Sequence, residues 1–351
     1  MTNPLFLPLR LGELTLPNRI IMAPLTRQRA GPERVPNEMM CEYYSQRATA
    51  GLIICEATAI DPMGVGYKDT PGIWNEDQIK GWKRVTKAVH AKGGRLFLQL
   101  WHVGRISDPS FLKGNLPVAP SAVQPSGHVK LLRPLRPFVT PRALETFEVK
   151  ELVQTYKKAA ENAKRAGFDG VELHAANGYL IDQFLQSKTN LRHDEYGGSI
   201  ENRARFLLEI TDAVIDVWGA GRVGVHLAPA CDSHDMGDAN PKETFGYVAR
   251  ELGRRKIAFI FAREGQRDGY LTPFLKKEFG GVMIANEGLD PKMSAKMVED
   301  QIVDAVSWGK YFISNPDLVE RIRREVPFTE FDASTFYTEG PKGYIDYPVA
   351  T

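Results

Sequence analysis

The chain has 351 residues, 43% of them hydrophobic and 25% charged, with a formal net charge of +2. That length suits one large barrel with insertions or two ordinary domains, and it buries a sizeable core either way. The balanced charge argues against a nucleic-acid or anionic-membrane partner. An odd, sparse cysteine set (Cys41, Cys55, Cys231) argues against a disulfide framework and for a reducing compartment. The opening Met1-Thr2-Asn3-Pro4-Leu5 lacks the basic and apolar regions of a signal peptide. No apolar run approaches the ~20 residues of a membrane helix. The expectation is a cytoplasmic protein.

Short apolar runs rich in β-branched residues punctuate the whole chain. They predict strands at Arg19–Leu25, Leu52–Thr58, Arg95–His102, Gly170–Ala176, Val223–Pro229, Ile257–Arg263, Gly281–Glu287 and Asp304–Lys310. Parallel strands covered on both faces have this continuous apolar character. Helical patterns lie between them at Glu76–His90, Glu151–Ala166, Ile200–Trp218, Pro241–Arg254 and Pro316–Glu325. In the second of these, Leu152, Tyr156, Ala159, Ala160 and Ala163 recur at helical spacing, with Lys157, Lys158, Glu161 and Lys164 opposite. Pro241 and Pro316 fit helix starts, where a missing N–H is harmless. Gly167 fits a C-terminal cap. Strand and helix alternating eight times, with no internal linker, predict a closed (β/α)8 barrel rather than an open doubly wound sheet. The stretch from Asp108 to Arg142, rich in Pro, Ser and Gly, reads as a long excursion after strand three, bounded at about 103–147.

Such barrels carry chemistry at the C-terminal ends of their strands. The sharpest segment there is His174-Ala175-Ala176-Asn177-Gly178-Tyr179. His174 and Asn177 suit two hydrogen-bond donors on one substrate oxygen, where negative charge builds as hydride reaches the β-carbon. Tyr179, a phenol protonated at neutral pH, suits a proton donor to the neighbouring carbon. A core histidine followed by an ordinary Asn-Gly turn explains the same residues. Gln99 matches a flat ring edge that offers both donors and acceptors, and Thr26 suits a ring carbonyl. Ordinary strand-end capping would also account for this pair. Tyr67 and Trp101 suit aromatic walls, or plain packing. No GxGxxG follows a strand and no P-loop is present. A phosphate is therefore expected at the ends of strands seven and eight, on Asn286, Glu287, Gly288, Gly309 and Lys310. The Glu287 carboxylate must then turn away.

Several longer segments together carry a family resemblance. They are Pro17-Asn18-Arg19, Met22-Ala23-Pro24-Leu25-Thr26-Arg27, Tyr43-Tyr44-Ser45-Gln46-Arg47-Ala48, Gln99-Leu100-Trp101-His102-Val103-Gly104-Arg105, His174 to Leu180, Asp194-Glu195-Tyr196-Gly197-Gly198-Ser199, Asn315-Pro316-Asp317-Leu318 and Gly343-Tyr344-Ile345-Asp346-Tyr347-Pro348. In their order and spacing the chain resembles the Old Yellow Enzyme family of FMN-dependent ene-reductases over nearly its whole length. Thr26 places it with the main branch. The resemblance implies one FMN-binding (β/α)8 barrel over 1–351 with an N-terminal β-hairpin lid. Pro24, Leu25, Thr26, Ala57, Gln99, His174 and His226 would surround the flavin. Thr26, Tyr67, Trp101 and Tyr344 would border the substrate beside His174, Asn177 and Tyr179. NADPH or NADH would reduce FMN in the same pocket that an activated alkene then enters. The partners would be small molecules, with neither nucleic acid nor membrane, and the chain a monomer or homodimer. No metal is implied.

This chain departs from the family pattern at four places. His226 stands where the family usually has Arg, Ala228 where it has Ser, Lys310 where it has Arg, and Glu287 where it has a small residue. Histidine titrates near neutrality, so weaker stabilisation of reduced flavin and a pH dependence through His226 are expected. Three further readings compete. His102, His174 and His226 end three successive strands, as ligands of a metal-dependent barrel hydrolase would. An FMN barrel acting as a sensor, or on nitro compounds and nitrate esters, fits the altered positions. A relative carrying an iron–sulfur cluster is disfavoured by the scattered cysteines.

Overall fold

The computed structural model describes residues 3–265 and 269–350. Eight parallel strands close into one barrel: β1 (Ile20–Met22), β2 (Leu52–Ala59), β3 (Leu96–Trp101), β4 (Gly170–Ala175), β5 (Val223–Leu227), β6 (Phe259–Arg263), β7 (Val282–Asn286) and β8 (Ala305–Trp308). Each pairs with its sequence neighbours, and β8 closes on β1 through Ser307 opposite Ile21. A register shift between Cys55 and Thr58 interrupts the β2–β3 ladder. The eight predicted strands fall on these eight; β2 runs one residue further, to Ala59, and the other seven have ends trimmed by up to three residues.

The surrounding helices are α1 (Glu38–Gln46), α2 (Glu76–His90), α3 (Thr146–Arg165), α4 (Ile200–Trp218), α5 (Pro241–Arg254), α6 (Thr272–Phe279), α7 (Pro291–Glu299) and α8 (Leu318–Arg324). Helix α3 starts five residues before the predicted Glu151, because Glu145 and Glu148 form a capping box there. Gly167, at φ +83°, follows its last turn as expected. Pro316 is not a helix start. Asp317 is the N-cap of α8, and its carboxylate bonds Arg321 at 2.8 Å. Helices α1, α6 and α7 were not anticipated.

An N-terminal hairpin, Leu9–Leu11 with Leu14–Leu16, covers the base of the barrel. Its Leu9, Leu11 and Leu16 join Ile21, Leu52, Ile54, Phe97, Phe259, Phe261 and Ile284 in one apolar plug. Full burial of each such side chain stabilises by roughly 1.5–3 kcal/mol. Gly12 turns this hairpin at φ +55°, and a Cβ there would lie 2.1 Å from the Gly221 carbonyl. With the base filled, the opposite mouth is the end at which strand-end side chains meet open space.

Two segments build up that mouth. The excursion between β3 and α3 packs Ile106, Val129 and Phe138 against Trp101 and Tyr67. The segment after α8 is tied to residues that follow β1. Arg27 donates to the carbonyls of Phe336 and Gly343, and Arg29 to those of Thr335, Phe336, Gly340 and Lys342. Tyr344 lies between these arginines and helix α1, stacked on Tyr43 at 4.0 Å.

Candidate active site

A cleft of about 710 Å³ opens at the C-terminal ends of the strands, lined by Pro24, Leu25, Asn177, His226, Arg263, Asn286, Glu287, Gly309 and Lys310 among others. Most of the residues expected at the flavin therefore meet there. Strand alternation sends His174 on β4 and His226 on β5, which are register partners, to the same face. Their rings stack at 5.1 Å and 3°.

Gln99 on β3 lies beside them. Its Nε2 donates to Glu172 Oε2 at 2.7 Å and to His226 Nδ1 at 3.1 Å. With Nδ1 accepting, His226 keeps its proton on Nε2, which is buried and has no partner among the described residues. Burial, His174 and the Arg263 charge hold His226 well below the usual histidine range. The titration near neutrality expected of His226 from its residue type is therefore not what its surroundings favour: burial, His174 and the Arg263 charge all disfavour the protonated ring. His174 is pushed down to about 3, by burial first and Arg263 second. The buried Glu172 carboxyl, with no cation against it, is pushed up to about 8.

The turn after β4 aims the next groups. Asn177 and Gly178 both take left-handed conformations, at φ +60° and +80°. The Gly178 N–H bonds Asp182 at 2.8 Å, and His234 Nδ1 donates to the Asn177 carbonyl at 2.9 Å. This brings the Tyr179 hydroxyl to 3.0 Å from that of Tyr67. The Tyr179 ring meets His174 and Trp101 edge-on, each at 5.1 Å. Tyr67 stacks on Trp101 at 5.6 Å, and Ala57 joins the same cluster. Burial raises Tyr67 to about 12 and Tyr179 well above the usual phenol range, so both hold their protons at neutral pH. Thr26 is half-buried, one residue beyond the cleft-lining Leu25.

Four further placements matter. The Glu287 carboxylate pairs with Arg263 at 3.2 Å, which is how it turns aside, with its backbone at φ +88°. Lys310 is exposed, 5.7 Å from the Phe331 ring, and opens a short helix instead of ending β8. Tyr344 does not border the cleft. Its stack between Tyr43 and the arginines buries it fully, and Phe331 and Tyr337 from the same segment line the cleft instead. The three strand-end histidines do not converge either, because His102 Nδ1 accepts from the Gly104 N–H. Among the described residues no cluster is placed to hold a metal ion. Phe331, Tyr337 and the partners of Arg263 escaped sequence reasoning. The aromatic run Phe331, Phe336, Tyr337 in an otherwise polar stretch was the available signal.

The donor set fits FMN. A buried, unpartnered His226 Nε2–H and the carbonyl of the neighbouring Gln99 amide, free among the described residues, would suit a flat ring's polar edge. No acceptor for the backbone N–H groups of Glu287, Gly288 and Gly309 occurs among the described residues, which suits a phosphate. Fold and site together define a flavin-binding (β/α)8 barrel. The NADH:flavin oxidoreductase / NADH oxidase family model matches residues 4–328. A 12-oxophytodienoate reductase 1 from Oryza sativa subsp. japonica is 42% identical, over 98% of this chain and 93% of its own. A probable flavin mononucleotide-dependent alkene reductase from Leishmania infantum is 42% identical, over 97% and 96%. The old yellow enzyme homologue of Zymomonas mobilis superposes with a TM-score of 0.96 at 44% identity, covering 99% of both chains. Morphinone reductase in complex with tetrahydroNAD does so with 0.96 at 48%, covering 99% and 98%. The chain belongs to the NADH:flavin oxidoreductase / NADH oxidase family and is an NAD(P)H-dependent flavin oxidoreductase.

Proposed function

We propose that this enzyme is an ene-reductase, reducing α,β-unsaturated carbonyl and nitro compounds with FMN and with NADPH as the preferred donor. Pro24, Leu25, Thr26, Ala57, Gln99, His226 and the ends of β7 and β8 would hold FMN, which when bound would supply hydride transfer between two reactants that use one cleft in turn. The observation that carries the reading is the grouping at the end of β4: Asn177 lines the cleft, and the Tyr179 ring meets His174, which itself stacks on the cleft-lining His226. His174, neutral above about pH 3, and the Asn177 amide donate to the substrate oxygen. Both stabilise the charge that develops there without contributing a charge of their own. Tyr179 gives its proton to the carbon next to the activating group. Tyr67, 3.0 Å away, donates to the Tyr179 oxygen as that proton leaves. Trp101 and Tyr67 shape the apolar wall. The free cysteines, two of them buried, accord with a cytoplasmic setting. Among the described residues no helix is long and apolar enough to cross a membrane.

The test is the visible spectrum of the purified protein under anaerobic NADPH, followed by 2-cyclohexenone. Yellow protein that bleaches and then recovers is expected. Protein that takes up no FMN, or that bleaches and never recovers with enones or nitroalkenes, would overturn the reading.

A further inference from the structure

Arg263 ends β6 inside the cleft and touches both of its ends. Its Nη1 donates to Asn177 Oδ1 at 2.9 Å, and its Nε to Glu287 Oε2 at 3.2 Å. All three residues line the same cavity. We propose that Arg263 is a positioning residue that couples the two ends, aiming the Asn177 amide at the substrate while holding the Glu287 carboxylate away from the cofactor's phosphate. The inference rests on the function proposed above.

A guanidinium only donates, so the amide oxygen of Asn177 must face it. The amide NH₂ is thereby turned the other way, available to a substrate oxygen. The Asn177 backbone is fixed separately, by His234 on its carbonyl, which leaves side-chain rotation as the freedom that Arg263 removes. At the other end, Glu287 and Gly288 are consecutive left-handed residues at φ +88° and +71° whose N–H groups lack acceptors among the described residues. A carboxylate released beside those donors would repel a phosphate that they bind. The pairing with Arg263 draws it off. Lysine has three donors but no fixed planar fork, so it holds the two partners less firmly.

The experiment compares wild type, Arg263→Met, Arg263→Lys, and Arg263→Met combined with Glu287→Ala. Two readouts are kept apart: FMN affinity, from quenching of flavin fluorescence on titration into flavin-free protein, and kcat/KM for 2-cyclohexenone at saturating FMN. Arg263→Met should weaken FMN binding several-fold and lower kcat/KM about tenfold, the scale of one charge-assisted hydrogen bond. Adding Glu287→Ala should restore FMN affinity but not kcat/KM. Arg263→Lys should fall between, and it carries the comparison if the methionine variant does not fold. Wild-type values in both readouts for Arg263→Met would overturn the proposal, as would recovery of both by Glu287→Ala. A wild-type protein that binds no FMN or reduces no enone would defeat the functional reading itself, a result distinct from either.

Discussion

Replacing Glu172 by glutamine should make the protein markedly less sensitive to alkaline pH. The carboxyl is fully buried on β4, accepts from Gln99 on one oxygen at 2.7 Å and has no partner on the other among the described residues. His226 stands 3.9 Å away but is neutral. Burial therefore raises the group from 4.5 to about 8. The folded chain keeps this proton up to about pH 8, whereas the unfolded chain releases it near 4.5. The folded state holds the extra proton inside that window, so stability falls as pH rises through it and levels off above. From pH 6 to pH 9 roughly two pH units of the window remain, which at ~1.36 kcal/mol each amount to about 3 kcal/mol lost. Glu172→Gln keeps the shape and the bond from Gln99 but cannot ionise. Urea unfolding of flavin-free protein at both pH values, followed by far-UV circular dichroism, should show the variant losing about 3 kcal/mol less than wild type across that interval. An equal loss in the two proteins would refute the reasoning.

Tyr179→Phe should slow enone reduction by about 100-fold or more while leaving NADPH bleaching of the flavin nearly unchanged, as stopped-flow half-reactions will show. Tyr67→Phe removes the 3.0 Å bond to Tyr179 and should slow the same half-reaction by about fivefold; no change would remove Tyr67 from the proton path. His226→Arg places a cation against Glu172 and the proposed flavin edge, and should raise the flavin midpoint potential; an unchanged potential would sink that assignment. Because His174 protonates only near 3 and His226 lies well below the usual range, KM for the enone should be flat from pH 5.5 to 8. An inflection near 6.5 would contradict the neutral pair.

The barrel was legible because strands buried on both faces write themselves as unbroken apolar runs, such as Leu96–Trp101. Helix α1 was not, since its Glu38, Glu42 and Gln46 break up a run whose Tyr43 and Tyr44 are buried by distant partners such as Tyr344. His174, Asn177 and Gln99 were readable at strand ends. The electrostatic state of His226 was not, because it depends on burial and on Glu172 and Gln99, which lie 54 and 127 positions away in sequence, separations that no local pattern encodes. Arg263 was visible as a strand-end residue, but its partners lie 86 and 24 positions away. Tyr344 illustrates the opposite error: an aromatic residue in a matching motif whose ring is held by cations behind the cleft.

The rim residues Phe331 and Tyr337 belong to a segment outside the strand ladder, and that segment is fastened by Arg27 and Arg29 almost wholly through main-chain carbonyls. Every amino acid supplies such a carbonyl. Apart from Phe336, Thr338 and Tyr344, whose side chains meet the two arginines or Tyr43, the anchor is indifferent to side-chain identity: the position of the rim is constrained while the chemistry of Phe331 and Tyr337 is left free to drift. New specificities can arise there by substitution alone, with neither the ladder nor the hydride-handling residues disturbed.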